Sequence, residues 1–195
     1  LTFLHFIMIV LGIAPAQASV PPRFLPLRDV AVAYQVAMPG RAAAAYQLSF
    51  DAAAQRVRIE DPAHGDYFLV DLPAGTARLV VPALRAVVDA PDLSALTQQL
   101  KDADNARFTP LGHATYAGHD CEKYLVLNSQ GSGTACITPD GVTLNFAGGN
   151  SRGSATVTAT SVTYAPLAAD SFNTPDGFTA ITLPPGALAQ FLGAQ

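Results

Sequence analysis

The chain has 195 residues, with 15 Asp plus Glu against 11 Lys plus Arg, a formal net charge of -4, two Cys and no Trp. A mildly acidic chain without a basic run argues against nucleic acid and against an anionic membrane face as partners. The length suits one domain around a single hydrophobic core, once the N-terminal segment is set apart.

That segment, Phe3 to Ala14, reads FLHFIMIVLGIA. It is uncharged and has the length of a secretory h-region, too short to span a ~30 Å hydrocarbon core. Pro15 ends the run, and Ala16-Gln17-Ala18 supplies the small-x-small pattern that a signal peptidase reads. Residues 1–18 are therefore expected to be a signal peptide cut after Ala18, with 19–195 as a single β-rich domain in the periplasm. The alternative is a buried N-terminal strand or helix. The chain opens on Leu1 and carries no basic n-region before the apolar run. Ser19 rather than Cys follows the cut, so the new end has no thiol to acylate, and no later segment approaches the ~18 apolar residues of a membrane span. A soluble monomer is the expectation.

Cys121 and Cys136 have only each other as partners. In an oxidising compartment such a pair is read first as a disulfide. Closing a loop of that size contributes roughly 3 kcal/mol in the chain-entropy model.

The rest reads as mostly β. In Val30 to Val36 the even positions Val30, Val32, Tyr34 and Val36 alternate with Ala31, Ala33 and Gln35, and Tyr46, Leu48 and Phe50 alternate likewise with Gln47 and Ser49. Pro39-Gly40 between them fits a type II turn, which makes a hairpin. Gln55 to Glu60 sets Val57 and Ile59 against Arg56, Arg58 and Glu60. Tyr67 to Val70 and Leu79 to Val81 are apolar on both faces, the signature of strands covered on both sides. One cover is a helix over Asp92 to Ala103, with Asp92 as N-cap and Leu93, Leu96 and Leu100 along one stripe. A second short helix fits Ala187 to Leu192. Between them, strands are expected at Thr115–Tyr116, Glu122–Leu127, Thr134–Thr138, Val142–Phe146 and Ser154–Tyr164, joined by turn residues at 128–133, 139–141 and 148–150.

Short connections imply antiparallel neighbours. The expected fold is mainly β (α+β): an incomplete antiparallel β-barrel, a strongly curved sheet of about nine to eleven strands, with one or two helices packed in its mouth. A two-sheet sandwich is the competing architecture. The disulfide would join neighbouring strands and centre their hairpin between Asn128 and Ser129.

Chemistry-bearing clusters are sparse. His119-Asp120-Cys121 has the residue types of an activated thiol, but 119 and 121 share a strand face while 120 points away, and Cys121 has an oxidised partner at hand. His113, His119 and Asp120 lack the tight convergent spacing of a zinc site. Gly131-Ser132-Gly133 precedes a strand, so no helix N-terminus waits there for a phosphate. No catalytic residue, metal or cofactor is expected. Arg56 and Arg58 lie two apart on one strand face, aimed either into a cavity mouth or into solvent. In the first case they would hold a carbonyl, an anionic head group or a lid loop by bidentate hydrogen bonds.

The run Gly112-His113-Ala114-Thr115-Tyr116-Ala117-Gly118-His119-Asp120-Cys121-Glu122-Lys123-Tyr124, followed by Gly133-Thr134-Ala135-Cys136-Ile137-Thr138-Pro139-Asp140-Gly141-Val142, resembles a family of uncharacterised exported proteobacterial proteins. More distantly, it is similar to the periplasmic lipoprotein-carrier superfamily of LolA and LolB. Leu144-Asn145-Phe146 stands where the first family often has a Leu-Arg pair. The resemblance implies an incomplete barrel plugged by helices, and non-covalent holding of an acyl chain, lipid or lipidated segment without chemistry. On this reading Arg56, Arg58, Tyr67, Phe68, Leu69, Val70, Leu96 and Leu100 would line the ligand site, and Cys121 and Cys136 would form the bridge. An envelope sensor or protein-interaction subunit on the same fold is the alternative, engaging its partner by sheet edges or by the arm Pro21 to Pro26.

N-terminal sequencing of the exported protein is expected to begin at Ser19. Reduction is expected to raise its intact mass by about 2 Da. An unprocessed N-terminus, or an unchanged mass, would refute the respective expectation.

Overall fold

In the computed structural model, residues 21–94, 97, 106–129, 131–150 and 153–188 are described. The expected signal peptide, Leu96 and Leu100 lie outside these residues.

Period-two alternation builds the first hairpin as expected. β1 (Val30–Ala37) pairs with β2 (Ala44–Asp51) so that Val30 faces Phe50 and Val32 faces Leu48. In the connecting turn the Arg41 N–H donates to the Met38 carbonyl at 3.2 Å, with Gly40 at φ 74°, as a type II turn requires. β3 (Arg56–Glu60), β4 (Tyr67–Asp71), β5 (Thr76–Val81) and β6 (Ala86–Asp89) follow as antiparallel neighbours. The other half of the sheet comprises β7 (Arg107–Tyr116), β8 (His119–Asn128), β9 (Gly131–Ile137), β10 (Thr143–Asn150) and β11 (Gly153–Thr163). β12 (Thr179–Thr182) then pairs parallel to β6.

The result is one open sheet of twelve strands in the order β12-β6-β5-β4-β3-β2-β1-β11-β10-β9-β8-β7. It is a curved, incomplete barrel rather than a two-sheet sandwich. It exceeds the expected strand count because β6 and β12 are only four residues long, while β7 is longer than the expected Thr115–Tyr116 because most of it shows no alternation. Pro110 and the bulge between Pro110 and Gly112 break the β7 pattern.

Register assigns the faces. Val30, Phe50, Val57, Val70 and Ala77 lie in one row, and Val32, Leu48, Ile59, Phe68, Leu79 and Val88 in the next. These rows form the inner face and share one core with Leu93, Leu144, Cys121 and Cys136. Leu93 is fully buried and stands at the start of the helix, which opens at Pro91. Proline is well suited to a first helical turn, where its missing N–H has no partner to lose. Asp92 is therefore inside the helix rather than its N-cap. Its carboxylate instead accepts the Gly186 N–H, at 3.0 and 3.2 Å to its two oxygens, and pins the C-terminal segment that brings Leu188 to the core.

Cys121 and Cys136 form the disulfide, with Cα atoms 5.4 Å apart, between the neighbouring strands β8 and β9. Lys123 lies opposite Cys136 and Asn128 opposite Gly131, so the bridge runs diagonally and the hairpin centres one residue later than equal spacing from the cysteines predicts. Replacing both cysteines by serine is expected to lower unfolding free energy by about 3 kcal/mol. A denaturant midpoint unchanged from the oxidised parent would refute it.

Candidate functional site

β4 is apolar on both faces because both faces are covered. Ile59, Phe68 and Val70 point into the inner core, whereas Tyr67, Leu69, Val80 and Val87 form a separate cluster on the outer face with Phe178. The four β4 residues expected to line a ligand therefore divide two and two between opposite faces.

The outer cover is residues 165–178, the strap that connects β11 to β12. Both strands run in the same direction, so the chain must return the length of the sheet, and it does so across the outer face. Asp29 fixes its start, accepting the Leu167 N–H at 3.1 Å and the Ala52 N–H at 2.9 Å on its two oxygens. Next comes a 3-10 turn at Ala169–Phe172, whose Phe172 is buried.

Arg56 and Arg58 hold that turn. Arg56 donates to the Ala169 carbonyl at 3.3 Å and the Asn173 side chain at 3.1 Å, while Asp51 takes another of its hydrogen bonds at 3.1 Å. Arg58 donates to the Ser171 carbonyl at 3.2 Å, pairs with Glu60 at 3.0 Å and stacks 3.5 Å over the Tyr67 ring. Further along, Arg78 reaches Thr174, and Arg85 lies over the Phe178 ring and accepts the Thr179 N–H on its carbonyl. The two arginines thus face neither an open cavity mouth nor open solvent. Neither sequence alternative describes them: they hold the carbonyls of a connecting segment on the outer side of the sheet. Arg78, Arg85 and Phe178 carry no sequence signal for these contacts, because the contacts of Arg78 with Thr174 and of Arg85 with Phe178 span more than ninety residues along the chain.

The residues that carry the sequence resemblance also come together. Ala117 and Gly118, at φ 50° and 77°, make the two-residue turn between β7 and β8. Thr138 caps the Pro139-Asp140-Gly141 turn, its hydroxyl accepting the Val142 N–H at 2.9 Å and donating to Asp140 at 2.6 Å. Asp140 also takes hydrogen bonds from Arg28 at 3.1 Å and Tyr164 at 3.2 Å, and its carbonyl accepts the Leu27 N–H. Gly141 sits at φ 94° against the Leu25 carbonyl, where a Cβ would collide. The D-G-V segment is therefore the anchor of the N-terminal arm. Phe24 of that arm packs its ring, tilted by 53°, against Phe108 with centroids 4.7 Å apart, closing a third apolar cluster with Tyr124 and Ile137. Asn145 donates to the Val157 carbonyl and the Thr158 hydroxyl.

Among the described residues no group of three or more His, Cys, Asp or Glu side chains could hold a metal ion, and no cysteine is free. No helix among them is long and apolar enough to cross a membrane. The inner face offers the remaining candidate. Leu48, Ile59 and Phe68, aligned on three adjacent strands, are only partly buried, beside the sealed row of Val30, Phe50, Val57 and Val70. Phe68 and Val70 are among the residues expected to line a ligand. Leu48 and Ile59 are legible in the sequence as inner-face residues, and only the register sets them in line with Phe68.

No family model matches the sequence, and no curated protein matches it. Solved structures do match. An uncharacterized conserved protein from Thermus thermophilus superposes with a TM-score of 0.59 at 11% identity, over 80% of this chain and 91% of that one. A chain of the Pseudomonas aeruginosa MucA/MucB complex superposes with a TM-score of 0.54 at 13% identity. That match covers 80% of this chain and 58% of the other, so the present chain spans little over half of it. A LolA superfamily protein from Nitrosomonas europaea matches over 77% of this chain and 92% of its own at 12% identity, with a TM-score of 0.40. The first two likenesses establish a shared fold.

Burial opposes ionisation of Asp140, but hydrogen bonds from Thr138, Arg28 and Tyr164 and the Arg28 charge outweigh it and hold the carboxyl below its ordinary range. Its folded pKa lies below the unfolded one. The stabilisation is therefore complete above the ordinary value of 3.8 and is lost as pH falls through the folded value. Asp140→Asn is expected to lower stability at neutral pH and to flatten the acid limb of a stability-against-pH curve below about pH 4. An acid limb identical to the parent's would remove Asp140 from this role.

Proposed function

We propose that this chain is an exported, non-enzymatic binding protein of the periplasm that holds a lipid, an acyl chain or a lipoprotein segment against the inner face of its curved sheet. The observation that carries this reading is the partly buried row of Leu48, Ile59 and Phe68 beside a sealed core. Such a strip binds by removing apolar surface from water, worth about 25 cal/mol per Å², and needs no reacting group. The helix that opens at Pro91 supplies one wall, with Leu93 seated on the sheet and the Thr97 hydroxyl tied to the Gly75 carbonyl at 3.2 Å. The pairing of both cysteines supports a non-catalytic role, because a disulfide has no thiolate to attack with.

Native mass spectrometry of protein from its own periplasm is expected to show a co-purified lipid. Phe68→Asp is expected to weaken displacement of a fluorescent fatty acid at least tenfold. Ser161→Asp, on β11 and away from the row, serves as the charge control and should leave displacement unchanged. Neither co-purified lipid nor displacement in the parent protein would refute the reading.

A second reading, an envelope sensor or interaction subunit, is favoured by β7, which among the described residues is the last strand of the sheet and whose Leu111 is 54% exposed. It also draws on the shared fold with a chain of the MucA/MucB complex. Recovery of one stoichiometric protein partner with no bound lipid would select it over the first.

A further inference from the structure

The row of Leu48, Ile59 and Phe68 has a sealed core row on one side and polar groups on the other. Tyr46 lies two residues before Leu48 on β2, Asp61 two beyond Ile59, and Asp66 two before Phe68. The Asp61 N–H donates to the Asp66 carbonyl at 2.9 Å, which extends the β3–β4 ladder one rung past Glu60 and Tyr67. Alternation therefore puts Asp61 and Asp66 in the inner row next to the apolar one, about 7 Å further along each strand. The same row passes through Tyr34 of β1, Tyr46 of β2, Val81 of β5 and Ala86 of β6, none of them charged. Glu60 points to the outer face, where it pairs with Arg58. An apolar strip that ends at polar groups has the form of a site for an amphiphile, with the tail on the strip and the head at its end.

Residues 61–66 form the turn between β3 and β4, and Asp61 is its hub. The Asp61 carbonyl accepts the Gly65 N–H at 2.7 Å and the His64 N–H at 3.3 Å. One of its carboxylate oxygens accepts the Ala63 N–H at 2.9 Å, and the other meets His64 Nδ1 at 2.7 Å. The bond to Asp61 and the Asp61 charge, with Asp66 adding to them, outweigh burial and raise the His64 pKa above its ordinary 6.5. Burial opposes ionisation of Asp61, but the bonds from His64 and Ala63 prevail and hold its carboxyl below the ordinary range. Asp66 is shifted the other way, by burial first and then by the Asp61 charge. His64 is therefore the member of this cluster whose charge changes near neutral pH.

We infer that the β3–β4 turn is a pH-sensitive rim of the apolar strip: with His64 neutral, Asp61 and Asp66 hold the ammonium head of an amphiphile whose tail lies on Leu48, Ile59 and Phe68, and protonation of His64 loosens that hold. Charge sets the sign. Two carboxylates and one imidazolium leave one net negative charge, and loss of the imidazolium proton leaves two. A cationic head is held more tightly as pH rises through the His64 pKa, and an anionic head less tightly. The half-buried Tyr46 ring in the same row adds an aromatic face of the kind an ammonium favours. A unit charge about 7 Å away in water-like surroundings changes binding about threefold. The rim acts only if the strip is the lipid site proposed above, and to that reading it adds which head is taken and when it is released.

The test uses two fluorescent alkyl probes of equal chain length, one ending in trimethylammonium and one in sulfonate, whose charges do not titrate. Between about pH 6 and about pH 9 the parent is expected to bind the ammonium probe about threefold more tightly and the sulfonate probe about threefold more weakly, with both trends shrinking at high salt. His64 is exposed, and His64→Gln should remove both trends although His113 and His119 are still present. Asp66→Asn keeps His64 and should weaken the ammonium probe at both ends of the pH range. Trends that persist in His64→Gln, trends of one sign for both probes, or no trend in the parent would overturn the rim and leave the lipid reading intact. Failure of the parent to bind either probe would overturn the two together.

Discussion

A strand with apolar side chains on both faces must be covered twice, and most of this structure follows from that constraint. β4, β5 and β6 turn Phe68, Leu79 and Val88 inward and bury Tyr67, Val80 and Val87 outward. A curved sheet can cover only its own concave side, with help from a helix. The outer side needs a separate element, and the strap supplies it in crossing from β11 to β12. The parallel pairing of β12 with β6 is a consequence, since the strand at the end of that return path arrives in the same direction as β11 left.

An irregular segment laid over a sheet has backbone groups with no ladder to join. Here charged side chains complete them. Guanidiniums of Arg56 and Arg58 take the carbonyls of Ala169 and Ser171, and the Asp29 carboxylate takes the Leu167 N–H. The N-terminal arm is treated the same way at Asp140. Arg56 and Arg58 are themselves desolvated in part, and Asp51 and Glu60 offset that cost by pairing with them. Charge in this molecule thus mainly fastens irregular chain to regular sheet.

What the sequence discloses follows the range of the interactions. The β1–β2 hairpin, its Pro39-Gly40 turn, the two faces of β3 and the Cys121–Cys136 pairing are local or nearly local patterns, and each is where alternation and turn chemistry put it. β12 escapes because four residues are too few to show a period, and most of β7 because Pro110 and a bulge interrupt it. The helix start is misplaced from sequence because Asp92 looks like a cap, whereas its carboxylate is engaged by Gly186 from the far end of the chain. The candidate ligand residues read as one stretch, Tyr67 to Val70, yet a strand sends neighbours to opposite faces. Only the inward members can join Leu48 and Ile59, which are neighbours through register and not through sequence.

The two borders of the sheet are unequal, and that limits how copies of it can assemble. One border is β12, four residues long and held parallel, and the other is β7, ten residues long and antiparallel to its neighbour. Head-to-tail stacking would set a ten-residue border against a four-residue one and leave most of the longer strand unmatched. A β7-to-β7 contact is equal in length by symmetry, and it uses up both long borders at once. After such a contact the borders that remain are two β12 strands of four residues each, too short to offer a further strand more than a few ladder bonds.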